Sequence, residues 1–129
     1  MKRYLLDTNI LIYYLADAVP PERVSEIEAM LTSSFRVSFI TKIEFLGWKK
    51  HTPKGYALAR DFIRPAEVYP LTNTIADRAI HLRRTCGMKL PDAVIAATAL
   101  THECALVTRN ESDFSGICAL EVVNPFCGE

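Results

Sequence analysis

Short apolar runs alternate along the chain with longer stretches in which apolar residues recur every three or four positions. The runs suit buried strands, and the longer spacing gives one apolar face to a helix. Arg3 to Leu6 predicts a strand, followed by a helix over Ile10 to Ala16 with Thr8 or Asn9 as its N-cap. Pro20-Pro21 opens a second helix, with Val24, Ile27 and Leu31 on one stripe. Arg36 to Ile40 is β-rich; Thr41 then caps a helix through Lys50, with Glu44 placed as in a capping box. A helix from Lys54 to Ile63 and a strand from Glu67 to Leu71 follow. Asn73 to Cys86 carries Ile75, Ala79, Leu82 and Cys86 on one side, and Gly87 is placed to stop it. Pro91 opens a strongly apolar helix to His102, and Ala105 to Val107 and Leu120 to Val123 are the last strands. Strands alternating with helices predict an α/β fold, a parallel sheet with helices on both faces.

The length of 129 residues predicts one domain over 1–129. Hydrophobic residues make up 50% and charged residues 23%, which excludes a disordered chain. Fifteen basic residues balance fifteen acidic ones, so a nucleic acid would have to be held by local cations rather than one large basic surface. Asp7-Thr8-Asn9 interrupts the first apolar run where a signal peptide would need its apolar core, and no apolar stretch reaches the ~20 residues of a membrane span. The expectation is a cytoplasmic protein without a membrane. Cys86, Cys104, Cys118 and Cys127 form no Cys-x-x-Cys pair and read as reduced and buried.

Ligand sites in open parallel sheets lie at the carboxyl ends of the strands. Asp7 directly follows the first predicted strand, and Thr108, Arg109, Asn110 and Asp113 follow the strand Ala105 to Val107. Glu44 sits between Ile43 and Phe45, and Asp92 begins the most apolar helix. Each acid alone has a structural explanation as a helix or turn cap. Four together in apolar surroundings are costly unless paired, and if they converge their repulsion calls for a cation. A hard divalent ion, Mg²⁺ or Mn²⁺, suits such oxygen ligands. Other chemistries lack their residues. No Gly-x-Gly-x-x-Gly or Walker loop is present, His51, His81 and His102 have no zinc spacing with the cysteines, and Ser38 and Ser112 lack a nucleophile elbow. An Asp after the first strand also occurs in phosphoryl-transfer enzymes of the haloacid dehalogenase type. Those want a second Asp two residues on, where this chain has Asn9. Response regulators want an acidic pair that is absent here. A binding module whose acids are caps stays open.

Four segments, "LLDTNILIYYL" (Leu5 to Leu15), "TKIEFL" around Glu44, "LPDAVIAATAL" around Asp92 and "LVTRNESDF" (Leu106 to Phe114), together resemble the PIN domain and, within it, the VapC-like ribonuclease toxins of prokaryotic toxin–antitoxin pairs. The resemblance spans nearly the whole chain, with no motif from Pro53 to Asn73. It implies a three-layer αβα sandwich around a five-stranded parallel sheet. It implies a catalytic cluster of Asp7, Glu44, Asp92 and Asp113, in which Asp7, Asp92 and Asp113 hold Mg²⁺ or Mn²⁺. Asn9 would orient Asp7 or a metal-bound water, Thr108 would help hold the metal shell, and Asn110 would shape the loop presenting Asp113. The implied activity is hydrolysis of RNA to 5′-phosphate and 3′-hydroxyl ends, with a small antitoxin as partner and a homodimer as assembly. A stand-alone PIN nuclease of RNA processing is the other reading. Arg109, Lys49 and Lys50 are candidate phosphate contacts, with Lys54, Arg83, Arg84 and Lys89 as further local cations. Trp48 and Tyr56 could stack on bases or belong to the core, and the Val24, Ile27, Leu31 stripe and Tyr13-Tyr14 could face a partner or the core.

Overall fold

Three-residue strands suffice here because both faces of the sheet are covered. The computed structural model describes residues 2–126. In chain order the elements are β1 (Tyr4–Leu6), α1 (Thr8–Leu15), α2 (Pro21–Ser33), β2 (Arg36–Ser38), α3 (Phe39–Leu46) and α4 (Pro53–Ile63). There follow β3 (Glu67–Tyr69), α5 (Asn73–Cys86), α6 (Leu90–Thr101), β4 (Ala105–Val107), a 3₁₀ turn (Glu111–Phe114) and β5 (Val122–Val123). The sheet is all parallel in the order β3-β2-β1-β4-β5. Helices lie on both faces, giving the expected three-layer α/β/α arrangement.

Alternation along β1 builds the two cores. Leu5, in register with Leu106, joins α5, α6 and Phe114 on one face. Leu6, in register with Val107, joins Ile10, Leu11, Ile27, Phe45 and Ile63 on the other. The period of two along a strand sends neighbouring side chains to opposite faces, and all five of these strand and turn residues are buried. The apolar helix α6 buries Ala93 through Ala99 without interruption, as its composition requires.

Several local expectations need correction. Helix α1 is capped by Asp7, whose side chain accepts from the Thr8 N–H, so Thr8 is the first helical residue and not the cap. Helix α3 begins at Phe39 and is capped by Ser38, not by Thr41. β2 therefore stops at Ser38 instead of Ile40, because that residue's side chain turns back to serve the helix. Thr41 lies fully buried inside α3, and the helix ends at Leu46, where the Gly47 N–H bonds the Ile43 carbonyl. β3 ends at Tyr69 because Pro70 has no N–H to continue the ladder. Gly87 does stop α5, in the left-handed region at φ 65°. Of the cysteines, Cys104 is buried, but Cys86 and Cys118 are exposed. Cys86 occupies the last helical residue, where the apolar stripe runs out into solvent. Cys127 lies outside the described residues. Of the possible partner surfaces, Ile27 is buried in the core, and Val24, Leu31, Tyr13 and Tyr14 pack against it half-buried. Among the described residues no helix is long and apolar enough to cross a membrane.

Leu106→Ala removes a fully buried side chain from the middle of the sheet. It is expected to cost about 2–5 kcal/mol in denaturant unfolding. Cys118→Ala, on the surface, should change stability by no more than about 0.5 kcal/mol.

Candidate functional site

β1 and β4 lie side by side at the point where the strand order reverses, and each is followed by a polar residue. The ladder continues one step past the strands, with Asp7 N–H on the Val107 carbonyl at 2.9 Å and Thr108 N–H on the Val123 carbonyl at 3.0 Å. That register puts Asp7 beside Thr108. Asp7 is 6% exposed, and three donors hold its carboxylate. The Thr8 N–H donates to Oδ1 at 2.7 Å, and Thr108 Oγ1 and Asn9 Nδ2 donate to Oδ2 at 2.7 and 3.3 Å. The Thr108 hydroxyl in turn accepts from the Asn110 N–H, and Asn9 Oδ1 accepts from the Arg109 N–H.

α3 brings Glu44 to the same place. Thr8 Oγ1 donates to Glu44 Oε1 at 2.7 Å and lies 3.3 Å from Thr41 Oγ1. The start of α6 supplies Asp92, half-buried, and the 3₁₀ turn supplies Asp113, which is exposed. The acids interact through space. Burial pushes the Asp7 carboxyl up to about 6, against the Thr108 and Thr8 hydrogen bonds, with smaller contributions from the charges of Asp92 and Glu44. Burial likewise raises Asp92, followed by the charges of Asp113 and Glu44, while Lys89 lowers it. Among the described residues, none of the four makes an ion pair.

Asp7, Thr8, Asn9, Glu44, Asp92, Asn110 and Lys49 line one open cleft. Asp113 stands outside its lining, though near enough to act on Asp92. Arg109 is turned away. Its guanidinium carbon lies 4.8 Å from the Tyr13 ring centre and 5.1 Å from that of Phe126. Lys50 borders a neighbouring apolar pocket. Thr8 is the residue that sequence reasoning passed over. Its hydroxyl ties Glu44 to the Asp7 loop, a bond across 36 positions that local pattern does not carry.

Hard oxygen donors, mutually repelling and in no ion pair among the described residues, fit a divalent ion by their chemistry. No three acid, His or Cys side chains among the described residues already form one coordination sphere. Mg²⁺ does not require three, since it keeps several waters and takes one or two carboxylates.

The sequence signature of the PIN domain matches residues 4–120. The chain belongs to the PIN domain family, whose members are nucleases that generally depend on a divalent metal. No curated protein sequence matches it. Among solved structures it is similar to a toxin–antitoxin complex from Klebsiella pneumoniae, with 33% identity, 95% of this chain and 98% of that chain covered, and a TM-score of 0.76. It is also similar to FitAcB from Neisseria gonorrhoeae, with 25% identity, coverage of 95% and 97%, and a TM-score of 0.70. DNA-bound VapBC from Salmonella typhimurium, at 23% identity, coverage of 97% and 99%, and a TM-score of 0.82, shares the fold.

A buried carboxyl raised to about 6 costs stability when ionised. As pH rises from about 4 to 6 the unfolded chain releases this proton first, so stability falls; above about 6 the loss is complete, at most about 3 kcal/mol. Asp7→Asn is therefore expected to be about 1–2 kcal/mol more stable than wild type at pH 7 in chelator. The gain is less than the full amount because the amide presents one acceptor fewer to the Thr8, Asn9 and Thr108 donors. The advantage should vanish near pH 4, as read by denaturant melts at both pH values.

Proposed function

We propose that residues 1–129 act as one Mg²⁺- or Mn²⁺-dependent endoribonuclease domain, the toxin of a type II toxin–antitoxin pair. The observation that carries this reading is the set of carboxylates around one cleft at the carboxyl edge of β1 and β4, none of them in an ion pair among the described residues. The 33% identity to a chain of the toxin–antitoxin complex from Klebsiella pneumoniae, over 95% of this chain, supports the toxin assignment and a small antitoxin partner. A homodimer and a cytoplasmic location accompany that reading.

Asp7, Asp92 and Asp113 would hold the ion. When bound, it supplies charge neutralisation at a phosphodiester oxygen and a more acidic water. The chain's own groups do the positioning. Thr8 N–H, Thr108 and Asn9 fix the Asp7 oxygens, and Thr108 is itself fixed by Asn110. Thr8 holds Glu44 by one oxygen, which leaves that side chain oriented to accept a proton from the attacking water. Water attacks phosphorus in line with the 3′-oxygen, the P–O3′ bond breaks, and the products carry 5′-phosphate and 3′-hydroxyl ends. Lys49, on the rim of the cleft, offers a phosphate contact. Arg109 is a weaker candidate because its guanidinium lies against two aromatic rings.

Purified protein is expected to cleave RNA in Mg²⁺ and to stop in chelator. Asp7→Asn and Asp92→Asn should lower kcat/KM by about 10²–10⁴-fold. Mg²⁺ should raise the Tm of wild type and not of Asp7→Asn. Full activity in chelator, or an active Asp7→Asn, sinks the reading.

Thr108→Val tests the positioning of Asp7. The Thr108 hydrogen bond favours the ionised carboxyl. Its loss should raise the Asp7 pKa above about 6 and move the acid limb of the pH–rate profile to higher pH. An unmoved limb would show that the limb belongs to another group.

A further inference from the structure

The acidic cleft shares two walls, Ile12 and Trp48, with a second pocket that is mostly apolar. This pocket, of about 220 Å³, lies between the end of α1, α3 and the start of α4, with Leu15, Phe45, His51 and Leu58 among its walls. Its aromatic side is braced. His51 Nε2 is 2.8 Å from the Phe45 carbonyl oxygen, and the His51 ring meets Phe45 and Trp48 edge to face. At 5.2 Å and 84°, His51 covers at most one face of the indole, and Trp48 remains 37% exposed. Two lysines mark the rims, Lys49 on the acidic cleft and Lys50 on the apolar pocket. Neither makes an ion pair among the described residues.

We propose that this pocket receives one unpaired nucleobase of the RNA whose phosphate lies in the acidic cleft, with Trp48 as the stacking surface and Lys49 and Lys50 on the adjoining phosphates. The proposal rests on the nuclease reading above. An apolar, aromatic-walled recess suits the flat face of a base, and its open mouth leaves the base's polar edge in water. Shared walls put the recess next to the reacting phosphate, as the base and backbone of one strand require. Free cations at both rims complement a polyanion, which favours RNA over an apolar protein segment in the same pocket. A base inside a duplex cannot reach the recess without leaving its stack, so the pocket selects single strands, loops and bulges.

The chain has a single tryptophan, so its emission reports on this pocket directly. The full chain in chelator, and Asp7→Asn in Mg²⁺, are titrated with a short single-stranded oligoribonucleotide of mixed sequence and with the same strand in a duplex. The single strand is expected to quench Trp48, more weakly as salt rises, and the duplex to quench it less. Trp48→Ala should lower kcat/KM on single-stranded RNA by about 10–100-fold, chiefly through KM, at unchanged Tm, and Trp48→Phe should recover most of it. Unchanged emission with an RNA that the wild type cleaves overturns the pocket and leaves the nuclease reading standing. Quenching without Mg²⁺-dependent cleavage supports the pocket and overturns that reading. Emission that responds to the antitoxin chain and not to RNA overturns the pocket as a base site.

Discussion

Burial of a carboxylate at the carboxyl edge of the sheet, sharpened by the charges of its acidic neighbours, is the constraint around which the adjoining structure is arranged. Asp7 would shed its charge if left to itself in so dry a place, and burial does push its carboxyl up to about 6. Hydrogen bonds from the Thr8 N–H, at the start of α1, and from the Thr108 hydroxyl, just past β4, limit that rise, and the Asn9 side chain of α1 donates to the same carboxylate. The folded chain thus keeps a group that lowers its own stability at neutral pH. Such a cost is expected where a site serves chemistry instead of packing.

The sheet supplies the precision. Register between β1 and β4 sets Leu6 opposite Val107, so the next residues, Asp7 and Thr108, are neighbours without any further device. Leu5 and Leu6 anchor β1 in both cores at once. A carboxylate mounted directly past so fixed a strand moves little, and α1 begins at the next residue, capped by the same side chain. Glu44 arrives on α3, which touches both cores through Phe45 on one side and Phe39 and Ile40 on the other.

What was legible in the sequence was what local chemistry decides. The sheet and most helices followed from apolar period and from Pro and Gly punctuation, and Asp7 and Asp92 stood out because one directly follows the first strand and the other begins the most apolar helix. The errors have a common source. Thr8 and Thr41 have the residue type of an N-cap, and sequence spacing treats a cap and a long-range hydrogen bond alike. Thr41 is the start of α3 expected from sequence, but the cap is Ser38, which sits where β2 must turn into the helix. Arg109 adjoins the acids along the chain, yet its long side chain reaches the faces of Tyr13 and Phe126, rings supplied by α1 and by the end of the described chain. Exposure of Cys86 shows the limit of a stripe: periodicity continues through the last turn, but the core does not.

The four acids form a series from dry to wet. Asp7 is buried, Glu44 and Asp92 are half-buried, and Asp113 is exposed. On the nuclease reading, the outer, well-hydrated carboxylates would help hold a divalent ion at the least cost in lost water. Asp7, already stripped of water, then gains most from a neighbouring positive charge, because its repulsion is least screened. The same series explains why substrate affinity must come from outside the cluster. Carboxylates repel phosphates, and a chain of zero net charge has no general attraction for a polyanion to offset this. On the proposed reading, lysines at the rim and an aromatic wall next to the cleft would hold a nucleotide that the acids alone would turn away.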